Sequence, residues 1–146
     1  MSKAESAELI LKLYELRREP TMREARNWII SFFPESAAEI RQAMINAETS
    51  AYYRMVTTYW DMAASFVNHG AIDEEMFGDA HGEHIVVFSK IEPYLAELRE
   101  MTGSPKYLKN LETLIMKMPD AKELLAGRRE VIKRWMEARR EMANNA

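Results

Sequence analysis

Three features of this 146-residue chain predict an all-α fold. N-cap residues followed three positions later by glutamate recur along it. Proline and glycine punctuate it at intervals that suit helices. Between those marks apolar residues return every three or four positions, with no run of strand-like alternation. A composition that is 47% apolar supplies one substantial core, and no repeat, linker or low-complexity tract divides the chain. The expectation is a single domain over residues 1–146, a bundle of about six helices.

The elements follow in order. Ser2 with Glu5 opens a helix over 3–18, which Pro20 closes, and Thr21 with Glu24 opens the next over 22–33, closed by Pro34. Ser36 with Glu39 starts a third segment over 37–68, long for a globular helix and expected to break near "NAETS", 46–50. Gly70 ends it. "DEEMF", 73–77, reads as a short extra turn capped by Asp73, and Asp79 reads as the cap of a helix over 79–101 with a kink at Pro93. After Gly103, Ser104-Pro105 starts a helix over 105–118, and after Pro119, Asp120 with Glu123 starts the last, over 120–142. Gly127 weakens that last helix by ~1 kcal/mol relative to alanine unless close packing uses its missing side chain.

Composition excludes several function classes. There is no cysteine, hence no disulfide, thiolate ligand or cysteine nucleophile, in keeping with a reducing compartment. The net charge of −3 gives no global field for a polyanion or an anionic membrane. Charge is uneven: residues 61–100 hold nine acids against Lys90 and Arg99, and residues 101–146 hold ten bases against six acids. "MSKAESAELILKLYE" lacks a basic region followed by an apolar run, and no apolar stretch approaches the ~20 residues of a membrane span. A soluble cytoplasmic protein without a membrane partner is expected.

Between Ala51 and Val67 the only charges are Arg54 and Asp61, two turns apart on nearly the same face, in a helix otherwise rich in aromatic and apolar residues. This helix is expected to be the most buried. The plain reading of its polar stripe is a water-facing edge. The sharper one turns Arg54 and Asp61 inward to the pocket of a small-molecule-binding or enzymatic bundle, walled by Tyr53, Tyr59 and Trp60.

All three histidines lie in "HGAIDEEMFGDAHGEH", 69–84. His81 and His84 have the i,i+3 spacing of helical metal ligands, and His69, with Asp73 or Asp79, would have to fold back to join them. The strings H-E-x-x-H and Glu-x-x-His are missing, and each acid has a capping or dipole role to play, so neither a metal nor another cofactor is expected. Nucleophile elbows, phosphate loops and dinucleotide fingerprints do not occur, and no catalytic residue is assigned. The bases of the last helix, Arg128 to Arg140, alternate with Glu130, Glu137 and Glu141, the pattern of a solvated face and not of a nucleic-acid surface.

The runs "YYRMVTTYWDMAASFVNHGAIDEEMF" and "VFSKIEPYLAELRE" resemble a family of small all-helical bacterial proteins of unknown function. The likeness covers roughly residues 52–99. It implies an all-helical fold and a cytoplasmic or membrane-proximal setting, and it carries over no ligand or catalytic residue. The leading functional expectation is therefore a non-enzymatic helical interaction module that forms a homo-oligomer, with Trp135, Met136 and Met142 at the interface.

Overall fold

The computed structural model describes residues 2–146, which form helices α1 (Lys3–Arg17), α2 (Pro20–Ile30), α3 (Ala37–Ile45), α4 (Ser50–Asn68), α5 (Glu74–Ala80), α6 (Glu83–Ile91), α7 (Leu95–Thr102), α8 (Lys109–Met116) and α9 (Ala121–Asn144). The all-α expectation holds, and no strand occurs among the described residues. The six expected helices become a larger set because long segments are divided.

Two divisions have causes visible in the chain. Asn46 turns extended (φ −66°, ψ 130°), its side chain accepts from the Glu48 amide, and Thr49 Oγ1 donates to Ala43 O, so the 37–68 segment breaks at "NAETS" as expected. At Pro93 the ring removes an amide, and residues Glu92–Tyr94 tighten into a 3₁₀ turn between α6 and α7. Gly70 (φ 79°) and Gly103 (φ 66°) close α4 and α7 in the left-handed conformation that glycine adopts without a Cβ clash.

The expected caps at Ser2, Ser36 and Asp73 hold, and those at Thr21 and Asp79 do not. Ser2 and Glu5 form a full box, with each side chain accepting from the other's amide. α2 starts before Thr21: Pro20 takes the first helical position, and the Glu19 carboxylate accepts from Met22 N at 2.9 Å. Ser36 caps Glu39 N as expected, but Glu39 reaches back to the Glu35 amide. The chain around 79–82 overturns the role given to Asp79. Asp73 caps α5 through Met76 N, and that helix runs on to Ala80, which leaves Asp79 exposed in its last turn. α6 starts after Gly82 without a side-chain cap.

The segment after Gly103 also differs from expectation. Residues 104–108 form turns, and Leu108 (φ 54°) and Asp120 (φ 54°) lead into α8 and α9 in left-handed conformations without capping bonds of their own. α8 takes its cap from across the fold: Asp61 Oδ1 accepts from Leu111 N at 2.9 Å and Oδ2 from Asn110 Nδ2 at 3.1 Å. That tertiary bond, with the burial of Leu108, holds a conformation that costs a non-glycine residue ~1 kcal/mol or more.

α4 is the central element. Its buried face, which includes Tyr53, Val56, Trp60, Ala63 and Val67, packs against α2, α3 and α8. The most completely buried helix, however, is α6, where every residue from His84 to Ile91 is buried because α9 covers its outer side with Leu125 and Ile132. The apolar run "IVVF" needs apolar neighbours all round, and α9 supplies the last of them. No helix among the described residues is long and apolar enough to cross a membrane.

Gly127 lies in the exposed interior of α9, and a Cβ added there would meet nothing within 4 Å. Close packing does not use the missing side chain, so Gly127→Ala should raise stability by ~0.5–1 kcal/mol. Urea denaturation checks it, and an unchanged or lowered midpoint contradicts it.

Candidate functional site

The corner between α5 and α6 brings His81, Gly82, Glu83 and His84 against Trp60 of α4. Glu83, the first residue of α6, sits at the positive end of that helix's dipole. Its Oε2 accepts from Trp60 Nε1 at 2.9 Å, and both carboxylate oxygens accept from Arg26 Nε at 3.0 Å. Arg26 belongs to α2, so one carboxylate joins three helices. Above the same indole lies Arg17, the last residue of α1, its guanidinium carbon 5.6 Å from the Trp60 ring and 5.4 Å from that of Tyr14.

The two imidazoles are walled in. His81 is 6% exposed and His84 2%, each packed against the rings of Trp60 and Phe77. Both ring nitrogens of His81 and Nδ1 of His84 are buried without a hydrogen-bond partner among the described residues. Burial, with the Arg17 charge next, pulls the His81 pKa from the usual 6.5 to about 4. Burial, then His81 and Arg128, pulls that of His84 to about 3. Both rings are therefore neutral at pH 7.

The remaining metal candidates are elsewhere. His69 is exposed, with Nδ1 2.9 Å from Ser65 O. Asp73 binds Lys3 at 2.6 Å besides capping α5, and Asp79 faces solvent. Among the described residues no three histidine, aspartate or glutamate side chains converge to hold a metal ion. The small-molecule candidates also separate. Arg54 is exposed, its Nε 3.4 Å from Ser50 Oγ, while Asp61 is committed to α8. Tyr53 is buried with its hydroxyl 2.5 Å from that of Tyr107, Tyr59 donates to Leu13 O, and Trp60 faces the histidine corner.

Two features were missed in the sequence. An open cavity of about 510 Å³ beside Arg17 is lined by Tyr14, Arg17, Arg18, Arg23 and Arg26. These arginines are scattered over two helices and a proline turn, so no periodicity groups them. The other is Lys90, buried in α6, whose Nζ donates to Phe32 O at 2.6 Å and to Ile30 O at 3.2 Å and lies 3.8 Å from the Phe33 ring centroid. Burial, aided by Lys133, pulls its pKa to about 7. A lone cation inside "IVVFSKI" was the available signal.

Residues 3–118 match the sequence model of a domain of unknown function, DUF4760. The chain belongs to this family. The match extends the resemblance over 52–99 in both directions, and it takes in the whole histidine corner and the arginine-lined cavity. It stops between α8 and α9. No curated protein and no solved structure matches the chain. The DUF4760 family brings no assigned activity, so function rests on the geometry.

Two outcomes are expected at this corner. Glu83→Ala removes the acceptor of both Arg26 and the Trp60 indole and should cost about 3 kcal/mol in urea denaturation, more than loss of the exposed Lys117–Glu74 pair, which is worth under ~1 kcal/mol. A loss below that of the exposed pair would show that Glu83 does not tie the helices. The histidines set a pH dependence. Their folded pKa values lie below 6.5, so as pH falls from 6.5 toward about 4 the unfolded chain gains protons that the folded chain refuses, and stability falls with them. His84→Gln should therefore lose less stability than the parent between pH 7 and pH 4.5, read from urea midpoints at the two values. An equal loss in both proteins counts against a buried neutral His84.

Proposed function

We propose that this protein is a non-enzymatic helical interaction module that pairs with a second copy of itself through the end of α9. The observation that carries this reading is Trp135, which is 64% exposed near the middle of a stripe that ends at Met142, 75% exposed. Val131, Trp135, Ala138 and Met142 recur at spacings of four, three and four, the seam of a two-stranded coiled coil. Trp135 and every described residue from Glu137 onward are exposed, so from Trp135 on this seam has no cover among the described residues. Met136 faces differently, lining a groove with Phe33 and Asn27 beside α2.

The seam is complementary to itself when two copies run antiparallel. Trp135 then lies opposite the small Ala138 and Met142 opposite Val131, so large side chains meet small ones. Arg134 and Glu141, which flank the seam on one side, fall opposite each other and form two equivalent ion pairs about a two-fold axis. A parallel pairing would set Trp135 against Trp135 and Arg134 against Arg139 of the second copy.

Light scattering tests this. The parent should approach twice 17.0 kDa as concentration rises, and Trp135→Arg should stay at 17.0 kDa with unchanged helix content. Arg134→Glu or Glu141→Arg alone should weaken pairing, and the two together should restore it. A strictly monomeric parent at high concentration would sink the proposal.

A further inference from the structure

We propose that the cavity at the junction of α1 and α2 binds a small soluble polyphosphate, a di- or triphosphate group carried by a metabolite. Its wall holds four guanidinium groups, from Arg17, Arg18, Arg23 and Arg26, and one aromatic ring, Tyr14. No carboxylate lines it. Arg26 is committed to Glu83, whereas Arg17, Arg18 and Arg23 enter no ion pair among the described residues. A local excess of positive charge thus sits on a chain whose net charge is −3. Like charges gathered in one concavity repel, and an anion offsets that repulsion.

The structural alternative is that these arginines serve their own helices. Arg17 and Arg18, at the C-terminal end of α1, do complement its dipole. Arg26, in the second turn of α2, is accounted for by Glu83, but Arg23 fits neither account. It is the fourth residue of α2, near the positive end of that helix, where a cation is unfavourable. Glu19, four positions before Arg23, turns its carboxylate to the Met22 amide instead. Arg17 adds a second observation: its Nε is buried and donates to nothing among the described residues, while the guanidinium lies over the Trp60 and Tyr14 rings. A buried charged donor left without an acceptor is costly, and an anion against the outer nitrogens of the same guanidinium would offset that cost.

Shape and charge together select the ligand. Guanidinium forks match the paired oxygens of phosphate, and three uncommitted forks suit a group with three or four negative charges better than a single carboxylate. A volume of about 510 Å³ lies in the range of small-molecule sites and exceeds what inorganic phosphate fills, which leaves room for the rest of a metabolite against Tyr14. The basic groups converge on a concavity and do not run along the surface as a stripe, so a soluble ligand fits better than a duplex or a membrane.

Isothermal titration calorimetry of the full chain with inorganic pyrophosphate and, separately, with ADP tests the site. Both should bind one to one, ADP more tightly, and added salt should weaken both. Arg18→Gln and Arg23→Gln alter exposed side chains, so the fold should persist, as circular dichroism would verify, while affinity falls about tenfold or more in each. Arg17→Gln should have the largest effect, and Arg54→Gln, at an exposed position outside the cavity's lining, none. No binding of either ligand at millimolar concentration would overturn the proposal. So would binding that Arg23→Gln leaves unchanged, or binding to phosphoinositide vesicles with none to pyrophosphate or ADP.

Discussion

The Glu83 carboxylate accepts from the Trp60 indole and from Arg26, and so fixes α6 to α4 and to α2 at one point. A carboxylate that is largely withdrawn from water needs such partners, and each partner here comes from a different helix. The consequences spread outward. With the indole held, Phe77 and the two imidazoles pack around it, and the α5–α6 corner closes over α4. With Arg26 drawn inward, α2 lies against α4 in the register that lets Lys90 reach the carbonyls at its far end. A polar tie of this kind adds directional information that apolar packing lacks.

Local chemistry made the helices legible in the sequence. The Ser2 box, the stop at Gly70, the break at "NAETS" and the kink at Pro93 each depend on a few neighbouring residues, and each appears where the chain announces it. The failures have a common cause. Asp79 has the composition of a cap, but whether an acid opens one helix or ends another depends on where the chain turns, and that turn falls at His81-Gly82. α8 likewise begins where Asp61 of a different helix accepts its amides, and no local pattern carries that information. The burial of α6 beyond that of α4 depends on which helix covers it, again a tertiary matter.

The candidate site shows the same division. The stretch 69–84 stood out by composition, and His81 and His84 do pack on the same rings while His69 lies apart, yet the neighbours Arg26 and Arg17 come from far along the chain. Arg54 and Asp61 shared a stripe on paper and part company in space, because α8 docks beside one of them and leaves the other in water. Periodicity reports which face a residue occupies. It does not report what arrives on that face.

The cover that α9 places over α6 has a bearing on how the chain is made. During synthesis the "IVVF" strip leaves the ribosome well before α9 exists to cover it, so a nascent chain carries an adhesive patch until its final helix docks. Lys90 flanks that strip with a charge, and a flanking charge is the usual guard against premature sticking. Its later burial among the α2 carbonyls then serves the finished fold. One side chain thus acts twice, first as a gatekeeper in the unfinished chain and afterwards as a clasp in the native one.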